Sequence, residues 1–149
     1  MPGKNLYLGL DPGQSGGIGI VGGVGQAYKW PETEHETARL VESIVDGCHT
    51  AAAVIEAVHS MPKQGVASSF KFGQHYGFLR GLLVALKIPF IDVSPQRWQK
   101  AIGCLTHGDK NVSKAMAQQL FPNQKFTHAT ADAMLLALYC SRLSWAREE

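Results

Sequence analysis

Apolar residues alternate with other residues at the start of the chain and later recur at helical spacing. Leu6, Leu8 and Leu10 occupy every second position, which predicts a strand with one buried face. This run reaches Asp11, breaks into a glycine-rich stretch over residues 12–17 and resumes as a second apolar run. The pattern predicts a β-hairpin with the carboxylate of Asp11 at the mouth of its turn.

Glycine is frequent around this hairpin. Gly9 shares the face of Asp11, so we expect open space beside the acid, where a metal ion or a phosphate approaches. Three further glycines beyond the turn indicate that something other than a side chain lies close to the backbone. An Asp-Pro-Gly sequence is also ordinary turn chemistry. The motif alone does not separate a metal-dependent nuclease of the RNase H type from an ATPase of the sugar-kinase and actin type.

The rest of the pattern predicts a meander followed by alternating helices and strands. The predicted elements are strands over 18–23 and 25–30, a helix over 34–46, a buried strand over 51–58, a helix over 66–86, a strand over 90–93, a helix after Ser94, a helix from Asp109, and a last helix from Thr127 or His128 to about Trp145. We expect one domain over residues 1–149, of the α/β class. Its RNase H-like fold has a five-stranded mixed sheet, in which an antiparallel meander of three strands joins two parallel strands flanked by helices.

Composition excludes several classes of protein. The chain has 149 residues, 45% of them apolar, and no apolar run near the roughly 20 residues that a membrane span needs. No signal-peptide pattern is found, so we expect a cytoplasmic protein of a bacterial or phage-infected cell. Cys48, Cys104 and Cys140 are odd in number and widely spaced, which favours reduced thiols over disulfides or zinc ligands.

Charge is distributed unevenly although the net charge is only +2. Residues 31–56 carry six acids and one base, whereas residues 60–125 carry nine bases and two acids. The basic segment predicts a face for a polyanion such as DNA. A solvated lysine-rich surface is the alternative.

Four residues are candidates for chemistry. Glu56 ends a predicted buried strand, and a lone buried carboxylate is costly unless it is paired, protonated or bound to a metal. Next to Asp11 in the sheet it would be repelled unless a divalent cation lay between them. His128 and Asp132 are four residues apart on one face of the last helix. Oxygen ligands of this kind suit Mg²⁺ or Mn²⁺, and two such ions about 4 Å apart hydrolyse phosphodiesters.

The long helix and the basic segment contain candidate binding residues. Gly73, Gly77 and Gly81 form a smooth stripe that packs either on the chain's own sheet or against a second copy in a homodimer. The candidates for DNA contact combine aromatic and basic side chains, which stack on bases and neutralise phosphates, although core aromatics and solvated helix faces are the alternatives. They are His59, Lys63, Phe70, Lys71, Phe72, Arg97, Lys100 and Lys114.

Five stretches, in order along the chain, resemble the RuvC family of Holliday-junction resolvases, particularly its phage-type and organelle-type branches. They are Leu8–Gly13 (LGLDPG), Ile55–Pro62 (IEAVHSMP), Ser69–Gly73 (SFKFG), Ser94–Trp98 (SPQRW) and His128–Ala133 (HATADA). The resemblance implies a homodimer that makes paired symmetrical nicks across a four-way DNA junction, with two divalent ions per site. It also implies that Asp11, Glu56 and Asp132 bind metal, and that Lys110 and Lys114 assist at the scissile phosphate.

The chain departs from bacterial RuvC at two positions. Ala129 stands where those proteins have an acid or a histidine, and His128 is the substitute, either as a metal ligand or as a proton shuttle. His59 stands where they have an aromatic wedge, so junction opening relies on His59 or on Phe70 or Phe72.

Three hypotheses of function follow. The first is a junction-resolving endonuclease, and the second is a broader nuclease for flaps and forks with the same site. The third is a junction-binding protein without catalysis. An ATPase is the least favoured class, because Glu56 and the basic segment have no role in it. The compact length favours a phage source.

Overall fold

A computed structural model of the protein describes residues 5–22, 25–57 and 65–145. The predicted positions Gly23, His59 and Lys63 lie outside these residues. The strands and helices follow the predicted order with small shifts at their ends. They are β1 (Asn5–Asp11), β2 (Gly17–Val21), β3 (Gln26–Lys29), α1 (Glu34–Val45), β4 (Thr50–Glu56), α2 (Val66–Ala85), β5 (Phe90–Val93), α3 (Pro95–Ile102), α4 (Lys110–Leu120) and α5 (His128–Ser141).

The five strands form one mixed sheet in the order β3-β2-β1-β4-β5. The pairs β1–β2 and β2–β3 are antiparallel, whereas β1–β4 and β4–β5 are parallel. This confirms the predicted meander with two added parallel strands. Because parallel strands end at the same edge of a sheet, β1, β4 and β5 all deliver their last residues to one edge.

Alternation along β1 divides the molecule into two apolar layers. Leu8 and Leu10 are fully buried in one layer, which packs against α1 and α2 through residues such as Val41 and Leu79. The opposite face of the sheet packs against α5, whose Met134 and neighbouring residues are also fully buried. The predicted two-residue period of β1 is therefore confirmed.

Our expectation of open space beside Gly9 is wrong. A Cβ on Gly9 would lie 2.2 Å from the backbone nitrogen of Ala137 and 2.4 Å from the carbonyl oxygen of Ala133. A Cβ on Gly19 would likewise lie 2.3 Å from that carbonyl oxygen. The glycines of the hairpin do admit something other than a side chain, as predicted, but it is the backbone of α5 from the same chain.

Polar side chains begin the three helices that follow the sheet. The hydroxyl of Ser94 accepts a hydrogen bond from the Arg97 N–H, with Pro95 at the first helical position, as predicted. Asp109 accepts from the Asn111 N–H at the start of α4. The last helix ends at Ser141, four residues before the predicted end. Cys48, Cys104 and Cys140 are free, as expected.

No helix in the described part of the chain is long and apolar enough to cross a membrane.

Candidate functional site

Three carboxylates meet at the carboxyl edge of the sheet. Asp11 is the last residue of β1, and Glu56 is the last residue of the parallel neighbour β4. Leu10 pairs with Ile55 in the strand register, so the two acids occupy adjacent positions. Asp132 approaches from α5, because the glycines of the hairpin allow the first turns of this helix to lie directly on β1 and β2.

The charges of the neighbouring acids act on Asp11. Burial raises the pKa of Asp11 well above its usual value, and the charges of Glu56 and Asp132 raise it further. The ammonium group of Lys110 acts in the opposite direction. The acids of β1, β4 and α5 and the lysine of α4 therefore influence one another's charge state.

Glu56 is enclosed, with only 8% of its surface exposed. Burial raises its pKa to about 7, and Asp132 also raises it. The indole N–H of the fully buried Trp98 donates a hydrogen bond of 2.7 Å to Oε2 of Glu56, which lowers the pKa of this acid, as does Lys110. Trp98 lies on the helix expected after Ser94, and no sequence signal connects it with the site.

Asp132 lies between α4 and the sheet. Burial raises its pKa, while the nearby hydroxyl of Ser113 and the charges of Lys110 and His128 lower it. Ser113 is itself buried in α4 and was not singled out from sequence. Its position one turn after Lys110 places both side chains on the face of α4 that meets α5.

Lys110 is the base whose charge acts on all three acids. It is the first residue of α4 and follows a loop over residues 103–109. The buried amide of Gln99 holds that loop, because its oxygen accepts hydrogen bonds from the N–H and the hydroxyl of Thr106, both at 3.3 Å. Lys114 is one turn further along α4 and half-buried.

His128 is exposed at the start of α5. Its Nε2 lies 3.2 Å from Oδ1 of Asn111, in the first turn of α4. Its charge lowers the pKa of Asp132. The structure thus places His128 where its charge acts on Asp132, and its role as metal ligand or proton shuttle stays a prediction.

The turn that follows Asp11 is supported by residues that sequence reasoning missed. The Gly13 N–H donates a hydrogen bond of 2.8 Å to Nδ1 of His75 on α2. The indole N–H of Trp30 donates one of 2.6 Å to the carbonyl oxygen of Asp11. His75 and Trp30 also make an edge-to-face contact, with ring centroids 5.4 Å apart. No local sequence signal marks these residues, because they reach the turn from distant parts of the chain.

The donor set suits a hard divalent cation. Three partly or wholly buried carboxylates have their pKa values raised by burial, and a cation among them would replace mutual repulsion by attraction. Within residues 5–22, 25–57 and 65–145, no three His, Cys, Asp or Glu side chains form a group that could hold a metal ion as they stand. The three acids fit such an ion by the chemistry of their oxygens.

Several predicted DNA-contacting residues lie on α2 and α3, and both helices contact the region of the acids. Trp98 of α3 donates to Glu56, and His75 of α2 accepts from the Gly13 N–H. Lys71, Arg97 and Lys100 are exposed, and Phe70 is 66% exposed. Phe72 is half-buried, and its ring lies 3.3 Å from the position of a Cβ on Gly13. Their contacts with DNA stay predictions.

One base of the basic segment is engaged within the chain. Arg80 forms an ion pair with Asp92 at 2.5 Å, and Tyr76 also donates to this carboxylate. The pair ties α2 to β5, so we assign Arg80 a role within the fold rather than on the polyanion face.

The glycine stripe of α2 does not pack on the chain's own sheet. Among the residues that the structure describes, a Cβ on Gly73, Gly77 or Gly81 would meet nothing within 4 Å. Val66 and Val84 extend the same face and are 89% and 66% exposed. The structure therefore excludes the first alternative, in which the stripe packs on the chain's own sheet.

Two solved structures of RuvC from Thermus thermophilus share the fold of this chain. The first is similar with a TM-score of 0.65 and 18% identity, and covers 96% of each chain. The second, RuvC in complex with a Holliday junction substrate, gives a TM-score of 0.68, 17% identity and the same coverage. No family model and no curated protein sequence matches the chain. The chain therefore has a RuvC-like fold, of the RNase H-like type, as the resemblance implied.

Proposed function

We propose that the protein is a metal-dependent endonuclease that resolves four-way DNA junctions by paired symmetrical nicks. The observation that supports this most directly is the convergence of Asp11, Glu56 and Asp132 around Lys110. The RuvC-like fold adds support, since one of the similar structures is RuvC bound to a Holliday junction substrate.

Asp11, Glu56 and Asp132 would hold two ions, Mg²⁺ or Mn²⁺. Such ions, when bound, activate a water molecule and stabilise the leaving oxygen of a phosphodiester. Residues of the chain supply the charges and the proton-transfer groups around these ions. Lys110 places a positive charge beside the acids, where it attracts the scissile phosphate and stabilises charge that develops on it. His128 ligates a metal or moves a proton.

The bases on α2 and α3 would position the DNA. Lys71, Arg97 and Lys100 are exposed near the acids and would neutralise backbone phosphates. Phe70 is exposed enough to stack on an unpaired base. His59 and Lys63, outside the described residues, belong to the same proposed surface by their position between β4 and α2.

Two copies would pair through α2. Its exposed face joins the glycine stripe to Val66 and Val84, so a second helix can approach closely and bury apolar side chains. A twofold dimer presents two active sites, which paired nicks in a symmetrical junction require.

Cleavage of a synthetic four-way junction in Mg²⁺ or Mn²⁺ tests the activity. We expect nicks at symmetrical positions, loss of cleavage with excess chelator, and loss of cleavage in Asp11→Asn with junction binding retained. Flap and plain duplex substrates run in parallel: equal cleavage of flaps would replace the resolvase by a broader branched-DNA nuclease. Junction binding without any metal-dependent nick would favour a non-catalytic junction-binding protein.

Sedimentation velocity tests the dimer separately. Gly77→Glu places a charge in the middle of the exposed face, and we expect it to yield folded monomers. Ser43→Glu, on the exposed face of α1, is the matched control and should sediment as the wild type does. A wild-type monomer in the presence and absence of junction DNA would contradict the proposed pairing.

A further inference from the structure

One neutral donor is fixed against one of the three acids. The indole N–H of Trp98 lies 2.7 Å from Oε2 of Glu56, and both residues are buried. Within the described part of the chain, Oε1 of the same carboxylate accepts no hydrogen bond. The two oxygens of Glu56 therefore have different surroundings.

The backbone holds donor and acceptor in a fixed relation. Glu56 pairs with Val93 in the register of β4 and β5, and the next N–H, of Ala57, donates to the Val93 carbonyl at 2.8 Å. Ser94 caps α3 immediately after this pair, and Pro95 begins the helix. The start of α3 is therefore fixed next to the end of β4, and the helix places Trp98 against Glu56.

We infer that Trp98 is a positioning residue for the proposed metal centre: it holds Oε2 of Glu56 and leaves Oε1 for the cation. This inference rests on the proposed metal-dependent function. A carboxylate fixed by one oxygen loses less freedom when its other oxygen binds a metal, so the site is organised before the ion arrives. Trp98 touches no substrate and acts through Glu56.

A purely structural role for Trp98 makes a different prediction. Trp98 belongs to the apolar layer between the sheet and α5, so its loss would lower stability whether or not its N–H is bonded to Glu56. Metal affinity separates the two roles, because a packing defect alone does not change the orientation of the Glu56 carboxylate relative to the other acids.

The test measures Mn²⁺ binding by calorimetry on the full chain, together with thermal unfolding. Trp98→Phe keeps a buried aromatic ring and removes the N–H, and we expect roughly 10–100-fold weaker Mn²⁺ binding. Trp145→Phe is the matched control, because it removes an indole N–H that donates to the Cys140 carbonyl at 3.0 Å, away from the acids. It should bind Mn²⁺ as tightly as the wild type. Unchanged affinity in a folded Trp98→Phe would overturn the inference.

A second measurement needs no variant at residue 98. The indole N–H signal of Trp98 is followed by NMR in the wild-type protein as Mg²⁺ is added, with the Trp30 and Trp145 signals identified from their Phe variants. We expect the Trp98 proton to remain protected from solvent exchange when Mg²⁺ is bound. Loss of that protection on binding would show that Glu56 leaves the indole, and would refute the division between its oxygens. A wild-type protein that binds neither ion would instead contradict the proposed function.

Discussion

The carbonyl oxygen of Ala133 lies 2.4 Å from the position that a Cβ on Gly9 would occupy. Helix α5 therefore rests on the backbone of β1, with no side chain between them at this point. Ala133 follows Asp132 directly, and Gly9 precedes Asp11 by two residues on the same face of the strand. The close approach of helix and strand is what carries Asp132 to Asp11.

We predict that Gly9→Ala separates α5 from the sheet. The added methyl group would meet backbone atoms at 2.2 and 2.4 Å, which cannot move without displacing the helix. We expect the free energy of unfolding to fall by about 3 kcal/mol, measured by urea denaturation. Any folded protein should also lose cleavage activity, because Asp132 moves away from Asp11.

Gly81→Ala is the control for this substitution. A Cβ there meets nothing within 4 Å, and alanine is a better helix former than glycine by up to about 1 kcal/mol. We expect this variant to be as stable as the wild type or more so, compared at a concentration where both have the same oligomeric state. Equal stability of Gly9→Ala and Gly81→Ala would contradict the role that we assign to Gly9.

The acids could be predicted from sequence because each has a local signal. Asp11 precedes a turn at the end of an alternating strand, and Glu56 ends a continuous apolar run. Asp132 is harder to place, since its approach depends on glycines in β1 and β2. We interpreted Gly9 as space for a ligand because a sequence shows that a side chain is missing but not which neighbour takes its place.

The supporting residues had no such signal. Trp98 and His75 both appear as ordinary helix residues in sequence, and their contacts with Glu56 and Gly13 span 42 and 62 positions. Such contacts depend on how helices pack on the sheet, which propensity and periodicity do not determine. The prediction was therefore better for the elements and the acids than for the side chains that hold them.

The metal-free protein should lose stability as pH rises through neutrality. The pKa of Glu56 is about 7 in the folded chain and 4.5 as its ordinary value, so the folded state binds more protons between these values. The stability linked to this proton is fully present below pH 4.5 and is lost as pH rises through 7. Across this pH range the free energy of unfolding should therefore fall by an amount on the order of 3 kcal/mol. Asp11 and Asp132 act in the same direction, because their pKa values are also raised.

Glu56→Gln tests this linkage by thermal unfolding between pH 4.5 and 8.5 in chelator. The neutral amide should flatten the pH dependence and raise the melting temperature at pH 8 while abolishing cleavage. Mg²⁺ should stabilise the wild type at pH 8 more than at pH 5, and should stabilise Glu56→Gln less. Glu42→Gln, on the exposed surface of α1, is the control for the change in charge. A pH dependence as large in Glu56→Gln as in the wild type would exclude Glu56 as a source of it.

Binding to DNA should depend steeply on salt if the bases of α3 contact phosphates. We predict that Arg97→Ala and Lys100→Ala each reduce the slope of log affinity against log salt by about 1, measured with a four-way junction in chelator. Arg39→Ala, on the acidic helix α1, should leave the slope unchanged. Equal slopes for all three variants and the wild type would exclude α3 from the phosphate-binding surface.

We predict that His128 moves a proton and does not bind a metal. Its Nε2 is engaged by Asn111 at 3.2 Å, and the residue is exposed. We therefore expect His128→Ala to lower the single-turnover cleavage rate by about 100-fold or more, the usual contribution of a general acid or base, with unchanged Mn²⁺ affinity. Asn111→Ala should lower the rate less, because it frees the imidazole without removing it. If His128→Ala instead weakens Mn²⁺ binding in calorimetry, the imidazole is a metal ligand and the proton is carried by another group.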